Sequence, residues 1–429
     1  MAHDPLDPPP PPAPASRDKV LVVSVDAFPK LGGISTMTHH LANVFAELTG
    51  QSLLLAPAGS HVPDGYERRY DLIEDWESDT QARAGAAALV EDRRIEALTA
   101  RIIAHEQPGR ILLMHGFYYG PGVIAAARRA SVPVSAYVHG TELTSQMIAL
   151  ERGAGAGADA TALPRRLLSV LEQADEVLTN SHFTAGLVSR HARVRHLRVT
   201  GVGLSLSRLG GERRRSPWAS PSLRRDRRRA MGLAEGPLFA YIGRLTDHKR
   251  VDRMLRICAE MQDATCVIAG EGPAGQALAA CAADLGISSR CRFPGRIGEA
   301  EKWALLRAAN FSFLMSEFDP RTGACEGFGI GLLEAAAAGA LPVSSGADGM
   351  ADFMLGPERP GVVLPVAPLD ARASAALLSR LLADEAAMDG FVLRGRRMIS
   401  NRYNWSSVAR MILSPRQQVA PSRELRDAG

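Results

Sequence analysis

The chain has 429 residues, 46% of them hydrophobic and 22% charged, with a net charge of +4. That composition describes an ordinary soluble protein with chain enough for about two to three domains, and so modest a charge predicts no nucleic-acid partner. No apolar run approaches the ~20 residues of a membrane-spanning helix, and no basic-then-apolar leader opens the chain, so a cytoplasmic protein is expected.

The five cysteines all lie from Cys258 onward with no CxxC pair, which predicts scattered reduced thiols rather than disulfides or a metal site. Only four lysines (Lys19, Lys30, Lys249, Lys302) stand against forty-six arginines. Wherever lysine persists against that bias, its position invites a reason.

Residues 1–16 are rich in proline and lack apolar periodicity, the pattern of a disordered, polyproline-like tail. A first domain is expected over 17–206. VLVVSVDAF (20–28) reads as a buried strand, followed by PKLGGIS and a helix to about Leu48. Strand, Gly32–Gly33 and helix form either an anion cradle or simply a tight turn. The alternation continues through SLLLAP, an Ala-rich helix near 81–106, RILLMHG and a helix from 121. VPVSAYVHG, a helix near 164–173, DEVLTNS, a helix from 182 and RVTGVG complete it. Strands alternating with helices predict an α/β fold with a doubly wound parallel sheet, whose ligands gather at the carboxyl ends of the strands. Gly32, Gly33, His139, Gly140, Asn180 and Ser181 fall at such ends.

Residues 207–236 break the pattern, with nine arginines between Arg208 and Arg229 among Pro, Ser and Gly. This is the expected linker, either plainly solvated or a basic surface for peripheral contact with anionic lipid at the inner face of a membrane. A second α/β domain is expected over 237–402, opening at PLFAYIGRL. The helix YNWSSVARMIL (403–413) closes the chain before a polar tail (414–429).

Residues 315–346, MSEFDPRTGACEGFGIGLLEAAAAGALPVSSG, form the centre of that second domain. The EGFGIG loop has glycines for a tight backbone and leads into the helix LLEAAAAG, offering unpaired N–H groups and the positive end of a dipole. Glu326 and Glu334 frame it. A carboxylate in the first turns of that helix suits vicinal hydroxyls such as those of a ribose. Upstream, Arg244 sits just past a strand end and Lys249 is placed at the start of the next helix, a pair of cations suited to clamp a diphosphate.

The ordered set GG (32–33), HG (139–140), NS (180–181), GRL…K (243–249), GEGP (270–273), FPGR (293–296) and EGFGIGLLEAAAAG (326–339) closely resembles the family 4 retaining glycosyltransferases. The resemblance implies a GT-B fold, two Rossmann-like domains facing across a cleft, with the closing helix returning to the first domain. It implies that Glu334 holds the donor ribose and that Arg244 and Lys249 bind the leaving diphosphate. Glu326 and the amides of Phe328, Gly329 and Ile330 would face the donor sugar, His139 would sit beside it, Gly33 would lie near the diphosphate, and the backbone around Arg296 would meet the base. A nucleotide-sugar donor and a sugar, glycan or lipid-linked acceptor are then the expected partners. No cofactor or metal is expected, in keeping with the lack of an Asp-x-Asp pair. GVGLS (201–205) departs from the family's Asn-Gly-Val-Asp, and the loop SEFDPRTGAC before Glu326 is longer than usual. His39, His40 and His115 read as core or surface residues, and Glu271 as a turn residue. A sugar-nucleotide epimerase or hydrolase would need no acceptor, and a non-catalytic sugar-nucleotide-binding protein would have lost the clamp; the EGFG…E pattern and the intact cations favour the transferase.

Overall fold

The computed structural model describes residues 19–30, 32–63, 66–76, 86–153, 162–209, 221–365 and 368–415. The proline-rich segment, residues 210–220 of the arginine-rich stretch and the tail beyond 415 lie outside them. Two parallel sheets carry the described residues, as the predicted alternation requires.

The first sheet has seven strands: β1 (Val20–Val23), β2 (Ser52–Pro57), β3 (Asp71–Trp76), β4 (Arg110–Leu113), β5 (Val134–Val138), β6 (Glu176–Thr179) and β7 (Leu197–Val199). Their order is β3-β2-β1-β4-β5-β6-β7, all parallel. β1 and β2 are buried along their whole length, which is why they read as unbroken apolar runs: helices cover both faces of the sheet. The helices are α1 (Gly33–Thr49), α2 (Ala86–Glu106), α3 (Gly116–Arg129), α4 (Thr141–Gly153), α5 (Ala162–Gln173) and α6 (His182–His191). Strand β3 and helix α4 were not expected from the sequence. Helix α3 begins five residues before the predicted 121, so that Pro121 stands inside it as its sixth residue.

Next in the chain come α7 (Pro221–Ala230) and then the second sheet: β8 (Leu238–Ile242), β9 (Thr265–Ala269), β10 (Cys291–Gly295), β11 (Phe311–Leu314), β12 (Leu341–Ser344) and β13 (Val362–Val363). Its order is β10-β9-β8-β11-β12-β13, again all parallel. The helices around it are α8 (Val251–Ala259), α9 (Gly275–Asp284), α10 (Glu299–Ala308), α11 (Ile330–Ala338), α12 (Ala351–Met354), α13 (Ala371–Ala383) and α14 (Glu385–Asn401). Leu332, Leu333 and four alanines of α11 are buried between the sheet and its neighbours, each leucine contributing about 1.5–3 kcal/mol of hydrophobic stabilisation. Gly339 ends α11 in the left-handed conformation at φ 90°, as the sequence predicts.

Each sheet reverses its strand order once, between β1 and β4 in the first and between β8 and β11 in the second. A crevice opens at the carboxyl ends beside such a reversal. The Gly32–Gly33 turn follows β1, the Arg244–Lys249 segment follows β8, and the long loop to Glu326 follows β11, so topology alone brings these segments to the two crevices.

The arginine-rich stretch differs from the expected exposed linker. Its described second half is the helix α7, packed on the second domain. Arg224 and Arg228 are 4% exposed. Arg224 donates to the carbonyls of Ala309 and Gly339, while Arg228 donates to those of Ala308, Glu235 and Gly236 and to the Asn310 side chain. A planar guanidinium with five donors can satisfy the orphan carbonyls at two helix ends at once. Arg225 and Arg229 remain exposed. Among the described residues no helix is long and apolar enough to cross a membrane.

The two domains meet through specific contacts. Helix α15 (Trp405–Leu413) packs on α1, Leu204 N–H donates to the Tyr403 carbonyl (2.9 Å), and Arg198 donates to the Met411 carbonyl (2.6 Å). On the other flank, Asp352 accepts from His182 through both the backbone N–H (3.0 Å) and Nδ1 (2.8 Å). The long loop before Glu326 reaches across to α4, where Thr141 donates to the Cys325 carbonyl (3.0 Å) and Thr144 to that of Gly323 (2.5 Å).

Candidate active site

A cavity of about 540 Å³ lies between the sheets, lined from the first domain by Gly33, His139, Glu142 and Asn180 and from the second by Arg244, His248, Lys249, Glu326 and the Gly327–Ile330 backbone. A smaller chamber of about 210 Å³ adjoins it, sharing Gly33 and Ile330, and holds Glu334, Lys302, Glu299, Arg208, His40 and Tyr66. The first volume is within the usual range for small-molecule sites.

Arg244 follows β8 directly. Tyr241, buried in that strand, donates its hydroxyl to the Arg244 carbonyl (2.8 Å) and fixes the turn. The guanidinium is exposed to the cavity and has no ion-pair partner among the described residues. Lys249 ends a short 3₁₀ turn (Asp247–Lys249) instead of starting α8, because Arg250 adopts the left-handed conformation at φ 49° and separates the two. Its Nζ lies 2.5 Å from Glu326 Oε2, with both side chains under a fifth exposed.

The glycine loop is shaped by the neighbouring domain as well as by its own turn. A Cβ at Gly327 would lie 2.0 Å from the His139 carbonyl oxygen and 2.7 Å from Asn180 Nδ2, so only glycine allows the domains to approach here. Gly329, at φ 91°, caps α11 in the left-handed conformation. Phe328 is 2% exposed, and its ring packs 5.3 Å from that of Tyr403, so only its backbone faces the cavity. The Glu326 N–H donates to Asp348 Oδ2 (3.1 Å), and burial raises the Asp348 carboxyl above the ordinary range.

His139 follows β5 and stacks on Tyr137, ring centroids 5.0 Å apart. Its Nε2 lies 3.0 Å from the Met114 carbonyl, which can only accept, so the proton sits on Nε2 and the Nδ1 lone pair remains. Burial lowers its pKa, keeping the ring neutral. Glu142 accepts from the His139 backbone N–H, and Asn180 donates to its carbonyl (2.8 Å). His115 faces Asp26 at 3.3 Å behind it. Burial works against ionisation of Asp26, but hydrogen bonds from His115 and Lys30 outweigh it and bring that carboxyl down to about 2.

Glu334, the fifth residue of α11, lies in the smaller chamber with Oε1 2.7 Å from Lys302 Nζ. Arg296 is not brought to either chamber's lining. Its exposed side chain turns toward Glu271 at 4.0 Å. Sequence reasoning did not place Lys302, Glu299, Arg208 or Glu142 at the site, and it read His40 as a core or surface residue. Lysine scarcity was a signal for Lys302 as much as for Lys249; the others depend on an interdomain wall that no local pattern encodes.

Two facing doubly wound sheets with cations and glycine-loop amides at the shared crevice define a GT-B type architecture. Glycosyltransferase Family 4 matches residues 31–208 and Glycosyl transferases group 1 matches residues 224–404, and the chain belongs to this family of glycosyltransferases. It is similar to a glycogen synthase of Mycobacterium tuberculosis (strain CDC 1551 / Oshkosh), 27% identical over 304 residues, covering 69% of this chain and 65% of that protein. It is also similar to a D-inositol 3-phosphate glycosyltransferase of Mycobacterium avium (strain 104), 28% identical over 294 residues, covering 65% of this chain and 61% of that one. The match therefore spans just under two thirds of these relatives. Among solved structures, Anabaena Alr3699/HepE in complex with UDP and glucose has the same fold, at TM-score 0.66 and 16% identity, covering 92% of this chain and 98% of that one.

Proposed function

We propose that this protein transfers a glycosyl group from a nucleotide-sugar to a sugar, glycan or lipid-linked acceptor, with retention of the anomeric configuration and without a bound metal. The observation that carries this reading is the Arg244–Lys249 pair on one wall of a cavity whose opposite wall carries Gly33 and His139. The names of the two mycobacterial relatives support glycosyl transfer, and the UDP and glucose bound by HepE support the donor class.

In this reading Arg244 and Lys249 hold the diphosphate and take up the charge that grows on it as the glycosidic bond breaks. The N-terminus of α11 adds its unpaired N–H groups. Glu326 keeps Lys249 in place and faces the sugar with the loop amides. Neutral His139 presents its backbone and Nδ1 to the sugar from the first domain. The acceptor hydroxyl attacks from the face the phosphate leaves, and the departing phosphate accepts its proton.

The test is a thermal-shift screen of UDP-, GDP- and ADP-sugars. A ligand at 100 times its Kd should stabilise the fold by about 2.7 kcal/mol. If none shifts the melting temperature, the donor assignment fails.

A further inference from the structure

All four lysines of this arginine-rich chain pair with carboxylates, and two of them lie at the interdomain cleft. Lys249 belongs to the clamp already described. Lys302 does not. It projects from the first turn of α10 with its Nζ 2.7 Å from Glu334 Oε1 and 2.7 Å from Glu299 Oε1. The Lys302 and Glu334 side chains are only 16% and 18% exposed, whereas Glu299 is 41% exposed. Arg208, in the segment that follows the first domain, reaches Glu299 at 3.8 Å and lies over the Trp303 ring at 5.5 Å, closing the outer side of the group.

This geometry has a direct consequence. Glu334 stands on a helix whose flanking Leu333 and Ala335 are fully buried, so it has little water to sustain its charge. Lys302 supplies the compensating charge and occupies one carboxylate oxygen, leaving Oε2 to accept from a ligand. A compact ammonium fits between two carboxylates where the broad fork of arginine fits less well, which accounts for lysine in a chain that otherwise uses arginine. Glu299 anchors the ammonium from the same helix, so Glu334 is tethered to α10.

We propose that Lys302 is the positioning residue for Glu334, and through it sets how strongly the enzyme demands the ribose hydroxyls of its donor. The inference rests on the reading of Glu334 as the ribose-binding carboxylate. Lys302 itself touches no reacting atom. Its removal should therefore act on donor affinity and hydroxyl recognition and leave turnover at saturating donor unchanged.

The experiment is calorimetric titration of UDP, GDP or ADP, whichever binds the wild type most tightly, against the 2′,3′-dideoxy form of the same nucleotide. The wild type should prefer the hydroxylated form by at least about tenfold, the low end for hydrogen bonds to a charged group. Glu334→Gln should lose most of that preference. Lys302→Gln and Lys302→Met should also lose it while retaining turnover at saturating donor, and Lys302→Arg, which keeps the charge but fits less well between the two carboxylates, should recover only part of it. If Glu334→Gln loses the preference but both charge-free Lys302 variants keep it, the Lys302 proposal is overturned and the ribose reading stands. If Glu334→Gln itself keeps the preference, the ribose reading falls and takes this proposal with it. Tighter binding in the Lys302 variants would make Lys302 a competitor of the ligand and equally overturn its positioning role. A purely structural role would lower the melting temperature without changing the ratio between the two nucleotides.

Discussion

Replacing Lys249 with alanine separates its two proposed contributions. In the resting protein its Nζ sits 2.5 Å from Glu326 Oε2, with side chains 18% and 16% exposed. Breaking a fully buried pair costs about 3–5 kcal/mol and an exposed one at most about 1, so at this burial about 1–3 kcal/mol of stability should be lost. Asp348, which accepts from the Glu326 N–H, adds a second carboxylate to the uncompensated site. During transfer the same ammonium would face the leaving diphosphate. A unit charge about 4 Å away contributes about 4 kcal/mol at an effective dielectric near 20, before desolvation and before what Glu326 withdraws. Removing one such group typically lowers kcat by ~10²–10³. Steady-state rates at saturating donor, measured beside a melting curve, read both effects. A variant that melts several degrees lower yet keeps near-normal kcat would show that Lys249 serves only to neutralise Glu326, and would refute the clamp.

Glu334→Ala should weaken nucleotide binding by roughly 10- to 150-fold, as for loss of a charged hydrogen bond, and an unchanged titration would remove its role. Arg224→Ala should destabilise the second domain by about 2–5 kcal/mol by leaving the Ala309 and Gly339 carbonyls without their donor; a loss of vesicle binding at unchanged melting temperature would instead restore the membrane reading of this stretch. Burial holds the imidazoles of His39 and His248 down to about 4 and that of His40 to about 3. The unfolded chain takes up these protons near pH 6.5 while the fold declines them, so stability should be full above that pH and fall as the pH drops toward 4. Urea titrations at about pH 7.5 and about pH 5 should show the loss, with a shallower slope for His40→Gln; stability that is flat or rises on acidification contradicts it.

The fold was legible because each sheet is buried on both faces. Strands such as VLVV and LFAYI carry their signal in unbroken apolarity, and the glycine stops of α11 carry theirs in backbone freedom. Strand β3 was not, since DLIEDW alternates weakly at a sheet edge. Helix α4 lacks a strong apolar face in TELTSQMIALERG because one side meets the Gly323–Cys325 loop of the other domain. Arg224 and Arg228 misled for a related reason: charge in sequence reads as surface, but a guanidinium surrounded by helix-end carbonyls is a buried hydrogen-bonding hub. At the site, Arg244 could be read from its position past a strand end, Lys249 from the rarity of lysine in this chain, and Glu326 from the glycine loop that it precedes. The Gly327 approach to His139 and the Lys302–Glu334 pair exist only once separate elements are brought together.

The central claim is that protein cations at this cleft drive transfer from a nucleotide-sugar. Its most direct test is NMR of the reaction mixture in excess EDTA, following nucleoside diphosphate release and the anomeric proton of the product, for wild type and Arg244→Ala. The account predicts acceptor-dependent release that survives the chelator, a product with the donor's anomeric configuration, and a reaction slowed by ~10²–10³ in the variant. Turnover abolished by EDTA, an inverted product, or release indifferent to both acceptor and Arg244 would contradict it.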